Sequence, residues 1–503
     1  MRFLGVRAIG LAIDSAIIGS AYLGAIILRF DFAEPRWGWR ATAFSFLAVW
    51  IAHVLALLAC GTYSRPWRRC RAADLPRYVA AAALACAVLT TLRFLLPGLS
   101  HAHVRPPYSV TLICFVLVTL GLVASRLVWR WYCSLRVDEG DLLARTARHM
   151  DGTVAIEFLR GKTVLVTGAG GSIGSEIVRQ VAQASPKALL MVERSENALY
   201  EIDRELRQLG ASVRALPLMI DAGDVVRMEQ LFAAHRPDIV LHAAAYKHVP
   251  MVEMNPLEGL RNNTLATRRL AELAVKYAVE RFVLISTDKA VNPVSAMGAT
   301  KRLAEAMVMD LNAAHSPTRF CAVRFGNVLG SSGSVVPLFR EQIAKRMPLT
   351  VTHPDMKRYF MTVTEAVGLV LQAASRGENA IYTLDMGEPV RIVDLAEEMI
   401  RQAGYRPYVD IPIRFTGIRP GEKLFEELDI SEKSAYRTDM ARIYVTKVPE
   451  IPRERIRKTL ERAQGEVGET RDGEDRRETV FSLLRLCLGN CEMTGGRHAD
   501  TAI

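Results

Sequence analysis

The 503-residue chain has eight cysteines, and none stands in a C-x-x-C pair or at a Cys/His ligand spacing. That lack excludes a zinc ribbon or a dithiol redox motif, and reduced structural thiols are expected. Cys487 and Cys491 lie four apart, but no partner ligand accompanies them, so no metal is expected. Acidic residues are also in short supply, 53 against 64 basic, leaving a net charge of +11. Much of that excess is arginine flanking apolar runs, which attraction to anionic lipid explains without invoking a nucleic acid. The first apolar run lacks a small-residue cleavage site, which argues against a removed leader. No Gly/Pro-broken repeat of the transporter kind is present either.

What the chain has in surplus is apolar length. Four runs, at residues 8–28, 41–60, 78–96 and 108–128, are each long enough to cross a hydrocarbon core of ~30 Å. Arginine placement orients them. The loop between the second and third runs carries Arg65, Arg68, Arg69, Arg71 and Arg77, while the next loop has only Arg105. The former is therefore expected in the cytoplasm, with both termini. Arg36 and Arg40, beside Asp31 and Glu34, would then face outward. Within the runs, Asp14 and His53 read as interhelical contacts rather than a transport path, and Arg93 lies near enough to an end to snorkel.

Beyond a connector at 133–160 the pattern becomes that of a soluble α/β unit. A β-branched strand at 163–167 leads into GAGGSIG at 168–174 and an amphipathic stretch at 175–184. Strand, glycine turn and helix in succession make a dinucleotide site of an otherwise weak pattern. Gly168 permits the tight turn, Gly171 lets backbone approach a pyrophosphate, and Gly174 lets helix pack on strand. Gly170, Ser172 and Ile173 complete the turn, whose helix start offers free N–H donors. Further strands are expected at 188–193, 213–220, 238–243, 281–285 and 319–325, the alternation of a doubly wound parallel sheet. Glu193 ends the second strand, placed to accept from ribose hydroxyls and to repel a 2′-phosphate, which favours NAD; adjacent Arg194 keeps NADP open. Asp221 is either an adenine contact or a turn cap, and Ala243 ends the fourth strand beside the cofactor.

Eight ordered stretches resemble the membrane-bound nucleotide-sugar 4,6-dehydratases of bacterial polysaccharide and glycan biosynthesis, an extended short-chain dehydrogenase group. They are TGAGGSIGSE at 167–176, ERSENALYEI at 193–202, HAAAYKHVPMVE at 242–253, STDKAVNP at 286–293, MGATKRLAE at 297–305, VRFGNVLGSSGSVVPLF at 323–339, THPDMKRYFM at 352–361 and RPGEKLFEEL at 419–428. The resemblance covers about 137–445, and the four spans fit the long, membrane-anchored members. Two departures stand out. Long members insert a second Rossmann-like domain where this chain has only its short connector, and Glu193 replaces a frequent Asp. Residues 297–301 also have the spacing of the Tyr-x-x-x-Lys dyad of short-chain dehydrogenases, with Met297 where the tyrosine belongs, as in long members of the resembling family. A thioether cannot shuttle a proton.

The resemblance implies UDP-N-acetylglucosamine as substrate and a tightly held NAD. Hydride leaves C4, water is eliminated across C5 and C6, and the hydride returns to C6. It assigns Lys289 as the base at C5 and Asp288 as the acid at the C6 hydroxyl. Burial beside a second cation such as Lys301 is expected to lower the Lys289 pKa. Thr287 is expected to polarise the C4 oxygen, with Ser286 as the fallback, and Lys301 to bind the nicotinamide ribose. The proton that a tyrosine would carry passes through Thr287 or a water. Lys247 reaches the cofactor or hexose; Asn327, Ser332 and Ser334 hold diphosphate or sugar; Arg358 and Arg419 contact pyrophosphate oxygens; Glu422 contacts a ribose hydroxyl.

The expected architecture is thus α/β. Four transmembrane helices (1–132) and the connector (133–160) precede a Rossmann-like doubly wound parallel sheet with a small C-terminal substrate-binding subdomain (161–450). A charged, flexible tail without apolar periodicity follows (451–503), in which 480–488 is apolar enough for a short docking helix. A multi-pass homo-oligomer of the inner membrane is expected, surrounded by lipid, with its catalytic part in the cytoplasm and a UDP-N-acetylhexosamine as partner. Two other readings remain. A UDP-hexose 4-epimerase would want a tyrosine at 297 and no Asp-Lys pair, and a non-catalytic, nucleotide-sugar-binding membrane scaffold is supported by Met297 alone.

Overall fold

The computed structural model describes residues 2–31, 38–62, 75–95, 107–135, 153–208, 213–312, 317–428, 430–431, 434–449, 451–468 and 476–489. Arg36, Arg65, Arg68, Arg69, Arg71, Arg105, Cys70, Cys491 and connector residues 136–152 lie outside that set, as do the side chains of Arg40 and Arg93. Two compact units result, residues 1–138 with 397–412 and residues 139–396 with 413–503.

The first unit contains helices α1 (Arg2–Phe30), α2 (Gly38–Ala59), α3 (Leu75–Leu95) and α4 (Tyr108–Leu135). Each holds a stretch long and apolar enough to cross a membrane: Gly10–Phe30, Thr42–Ala59, Leu75–Leu92 and Tyr108–Val128. Small residues such as Ala25, Ala56, Ala81 and Ala85 are buried between the helices, whereas Leu28, Leu55, Leu92, Leu112 and Leu120 are more than half exposed. Exposed leucine suits a lipid surround, and small residues inside let helices approach closely. Asp14 is buried 2.5 Å from Arg126, whose guanidinium stacks 4.4 Å from the Tyr78 ring, so α1, α3 and α4 are tied together. The sequence reading overlooked Arg126. It also expected His53 to bridge helices, but Nδ1 bonds the Val49 carbonyl of its own helix at 2.8 Å.

The second unit is built on a nine-stranded sheet. Its strands are β1 (Thr163–Thr167), β2 (Ala188–Glu193), β3 (Ala215–Met219), β4 (Ile239–His242), β5 (Arg281–Ile285), β6 (Arg319–Arg324), β7 (Ala380–Leu384), β8 (Ala435–Arg437) and β9 (Ile443–Thr446). The order is β8-β9-β7-β6-β5-β4-β1-β2-β3, and only β9 runs against the others, antiparallel to both its neighbours β7 and β8. Central strands such as β1 are buried along their whole length, as a parallel sheet covered on both faces requires. The sequence located the first six strands within two residues at each end and missed the last three.

The helices that follow are α5 (Thr153–Leu159), α6 (Ser172–Gln183), α7 (Glu196–Gln208), α8 (Val225–His235), α9 (Val249–Met254), α10 (Pro256–Gly259), α11 (Ala266–Lys276), α12 (Ala296–Asn312), α13 (Val335–Ala344), α14 (Val363–Ser375) and α15 (Ile392–Gln402); of these, α6, α7, α12 and α14 pack on strands of the sheet, and α8 and α11 share an apolar cluster with it. The order turns about β1, with β2 on one side and β4 on the other, the switch point beside which such sheets bind ligands.

The tail is not flexible throughout. Helices α16 (Arg453–Gly468) and α17 (Arg476–Leu488) pack on α10 and α12, burying Ile456, Ala463, Val480, Phe481, Leu483, Leu484 and Cys487. In α16 the apolar positions are Ile456, Leu460, Ala463 and Val467, spaced four, three and four apart. That narrow stripe was hidden by the surrounding charges. The expected helix over 480–488 is the buried part of α17, while residues 469–475 and 490–503 lie outside the described set.

Candidate active site

The glycine turn between β1 and α6 is as tight as its sequence suggests. Gly168 has φ +68°, and a Cβ on it would meet the Ala244 backbone at 2.8 Å. A Cβ on Gly174 would stand 1.9 Å from the Gly168 carbonyl oxygen, and one on Gly170 would stand 2.5 Å from the Ala198 Cβ. These distances leave no room for any side chain. The first turn of α6, opened by Gly171 with no side-chain cap, keeps N–H donors free for an anion. Ala243, whose N–H bonds the Thr167 carbonyl, forms the opposite wall. Ser172 Oγ accepts from the Ser332 N–H at 3.0 Å, so the substrate loop predicted from sequence meets the helix start.

At the end of β2, Glu193 accepts from the Gly170 N–H through Oε2 at 3.1 Å and from the Ser195 N–H through Oε1 at 3.0 Å. Arg194 turns to Tyr246, donating to its hydroxyl at 2.8 Å, and lies 3.8 Å from Asp221. Asp221 also accepts from the Gly223 N–H at 2.8 Å, which makes it a turn cap. Behind the turn, Thr267 donates to the Asn263 carbonyl, so it accepts from His242 Nε2–H at 2.8 Å; Nδ1 then accepts from Thr167 at 2.7 Å. Acceptance at Nδ1 requires a neutral imidazole, and burial pushes His242 down to about 3. This link between the ends of β1 and β4 was not foreseen.

The 3₁₀ turn Asp288–Ala290 follows β5. Asp288 is 1% exposed; its Oδ1 accepts from Thr287 Oγ1 at 2.8 Å and from Lys289 Nζ at 3.1 Å. Its Oδ2 is buried without a hydrogen bond among the described residues, 3.1 Å from where a Gly326 Cβ would lie. Lys289 Nζ also reaches Asn327 Oδ1 and Glu426 Oε1, both at 3.3 Å.

The expectation for Lys289 is corrected here. Burial pulls its pKa down, but Asp288 and then Glu426 outweigh burial and hold it above the ordinary lysine value. Lys301 is bound instead to the Ile285 carbonyl at 2.6 Å, and burial pushes it down to about 8.

Other expectations are reassigned as well. Ser286 donates to Glu305 at 2.7 Å, and Arg324 grips the same carboxylate at 2.7 and 2.8 Å, so the fallback hydroxyl is committed to a buried network. Met297 lies in an apolar cluster with Val249, Val252, Leu260, Leu303 and Phe481. Arg358 spends its guanidinium on the Lys357, Lys423 and Leu424 carbonyls and on Glu426 at 3.3 Å, which turns it from pyrophosphate contact to scaffold.

A cavity of about 180 Å³ is lined by Lys289, Asn327, Arg358, Glu422 and Glu426 together with Val249, Val294, Ser295, Gly421 and Lys423. Glu426, 7% exposed, is the main residue that sequence reasoning missed. Its neighbours Phe425 and Glu427 are exposed, so residue type alone gave no signal. Glu422 and Ser334 each keep a buried oxygen free of hydrogen bonds among the described residues. Lys247 and Arg419 are exposed.

Comparison with known proteins follows the same outline. The chain is 50% identical over 295 residues to the capsular polysaccharide biosynthesis protein CapD of Staphylococcus aureus, covering 58% of this chain and 49% of that protein. It is 51% identical over 290 residues to the probable polysaccharide biosynthesis protein EpsC of Bacillus subtilis, covering 57% and 48% respectively. The chain thus spans about half the length of these two relatives. It is also 47% identical over 285 residues to the uncharacterized membrane protein MJ1061 of Methanocaldococcus jannaschii, covering 55% of this chain and 83% of that protein. Among solved structures, Pen from Bacillus thuringiensis aligns at 32% identity with a TM-score of 0.53, covering 58% of this chain and 90% of Pen. The family model described as polysaccharide biosynthesis protein matches residues 164–448, and this chain belongs to that family.

Proposed function

We propose that the protein is a membrane-anchored nucleotide-sugar 4,6-dehydratase acting on a UDP-N-acetylhexosamine, with NAD held at the glycine turn. The observation that carries this reading is the buried Asp288–Lys289 pair at the end of β5, whose lysine lines the cavity together with Glu426. An epimerase has no use for an acid and a base placed side by side there, whereas elimination needs both.

The residues fit a dinucleotide. Gly168, Gly170 and Gly174 leave no space for side chains, the start of α6 is uncapped, and Glu193, at the end of β2 and bonded to the Gly170 N–H, is placed for a ribose diol. When bound, NAD supplies the hydride acceptor for C4 and the donor for C6.

The chain's own groups then manage protons. Thr287, already donating to Asp288, holds the C4 oxygen and passes its proton to that carboxylate, which replaces the route a tyrosine at 297 would offer. Loading Asp288 removes the larger of the two counter-charges that keep Lys289 protonated. Lys289, whose side chain is partly exposed, then sheds its proton to solvent more readily, takes the one at C5, and regains a solvent proton once the cycle is complete. Asp288 delivers its proton to the departing C6 hydroxyl, and Lys289 returns its own to C5 as C6 is reduced. Lys301, tethered to the Ile285 carbonyl, contributes a positive charge beside the nicotinamide ribose. Serving polysaccharide synthesis from the cytoplasmic face of the membrane is part of the same proposal, supported by the four spans and the arginine-rich second loop.

Incubating the purified protein with UDP-N-acetylglucosamine in deuterated water tests this by NMR. A 4-keto-6-deoxy product carrying deuterium at C5 is expected. A C4 epimer without deuterium makes the protein an epimerase, and binding without turnover makes it a scaffold.

A further inference from the structure

The family match ends at residue 448, yet the chain goes on into α16 and α17, and one residue of α17 reaches the cavity wall. Arg477 Nε lies 2.5 Å from Glu253 Oε2, and Nη2 donates to the Val294 carbonyl at 3.0 Å. One turn on, the Phe481 ring lies 5.0 Å from the same guanidinium. Glu253, on α9, has its side chain 8% exposed, and its Oε1 accepts from the N–H of Ala296, the first residue of α12, at 2.6 Å. That oxygen would lie 2.7 Å from a Cβ on Gly421, so the loop carrying Glu422 rests on it. Within the same first turn of α12, a Cβ on Gly298 would stand 2.2 Å from the Lys289 carbonyl oxygen. Packing therefore runs without a gap from Arg477 through Glu253 to the start of α12 and on to the Lys289 turn. Val294 and Ser295 on one side, and Gly421 and Glu422 on the other, line the cavity.

An exposed ion pair contributes little, but this one has a buried end. Without its guanidinium, the Glu253 carboxylate is left largely desolvated beside two loops and a helix start.

We infer that α17 is part of the catalytic unit, and that Arg477 and Glu253 are positioning residues that hold the start of α12 against the Gly421 loop and so shape the sugar-nucleotide cavity. The inference rests on the reading of that cavity given above, and the test separates the two. Arg477→Met, Arg477→Lys and Glu253→Gln are made in the full-length protein. By hydrogen exchange, peptides over 293–299 and 419–424 should exchange faster in Arg477→Met, with β1 to β5 unchanged and partial recovery in Arg477→Lys. Unaltered exchange there overturns the clamp whatever the substrate. KM for UDP-N-acetylglucosamine should rise about 3- to 30-fold in Arg477→Met with kcat changed less, and Arg477→Lys should reverse part of the rise. Faster exchange with a wild-type KM overturns the link to the cavity. A wild type that turns over no UDP-N-acetylhexosamine overturns the functional reading, while the exchange result still decides the clamp. If circular dichroism shows Arg477→Met unfolded, Glu253→Gln, which keeps an acceptor for Ala296, carries both measurements.

Discussion

Replacing Lys289 by methionine removes the proposed base while keeping most of its volume. Nζ lies 3.1 Å from Asp288 and 3.3 Å from both Glu426 and Asn327, so the change strips one cation from two buried carboxylates. Breaking a buried pair typically costs about 3–5 kcal/mol. Here the loss should fall below that range, because Glu426 keeps Arg358 at 3.3 Å and Asp288 keeps Thr287 at 2.8 Å. The variant should therefore fold with a lowered Tm. Turnover should drop by about 10²- to 10⁴-fold, the usual loss for a general base. At 1.36 kcal/mol per decade that is about 3–5 kcal/mol. Oxidation at C4 does not need Lys289, so single-turnover absorbance at 340 nm should still report reduced nicotinamide, now persisting instead of decaying. Over the same period the C5 proton of the sugar should not exchange with deuterated water, as read by NMR. Wild-type C5 exchange in a folded Lys289→Met protein refutes the assignment and moves proton abstraction to another group.

Asp288→Asn should differ from it in kind, losing both the 340 nm signal and the product, because the acceptor for the proton passed by Thr287 is gone; a normal 340 nm burst would reject that relay. Glu193 should make the protein prefer NAD to NADP in binding titrations, since a carboxylate opposite a 2′-phosphate is a like-charge clash; an NADP preference would hand the site to Arg194. Lys301, lowered to about 8, binds its proton more weakly in the folded than in the unfolded chain. It therefore costs stability below pH 8, and that cost is relieved as pH rises from about 8 to about 10.5, by at most about 1.4 kcal/mol per pH unit. Lys301→Met should flatten that rise in Tm measured across pH 8–10, and an unchanged slope would show that another group titrates. Met297→Leu, a volume-conserving change inside an apolar cluster, should cost under about 1.5 kcal/mol and keep turnover within a few fold. Loss of activity in a folded leucine variant would give the thioether a chemical role.

The spans and the first six strands were legible because each depends on a pattern local to its own segment, either apolar length or a β-branched run closed by a turn. The glycine turn was legible for the same reason. Its constraint lies between residues a few positions apart, as the 1.9 Å approach of a Gly174 Cβ to the Gly168 oxygen shows. Lys289 was read wrongly because its charge state is held by its neighbour Asp288 together with a carboxylate far along the chain, Glu426. The sequence suggested Lys301 as neighbour, but the fold brings Glu426 to 3.3 Å and sends Lys301 to the Ile285 carbonyl. Arg358 failed in the same way, since a guanidinium seen as free charge in the sequence is consumed by carbonyls from a loop more than sixty residues later.

Met297 and the C-terminal helices make one argument together. Where a tyrosine would need a partner for its hydroxyl, the methionine instead joins an apolar cluster that Phe481 and Leu484 of α17 help to close. With Met297 in that cluster, the proposed proton traffic has the Thr287–Asp288 bond at the end of β5, and α12 is left to carry Lys301 and to support the Lys289 turn through Gly298. A helix used as support needs its start held in place, and Arg477 and Glu253 do that from a segment that looked, by its charge alone, like a tail. On this reading the missing tyrosine and the added helices are two sides of one arrangement: chemistry has moved to the end of β5, and α12 is braced from outside.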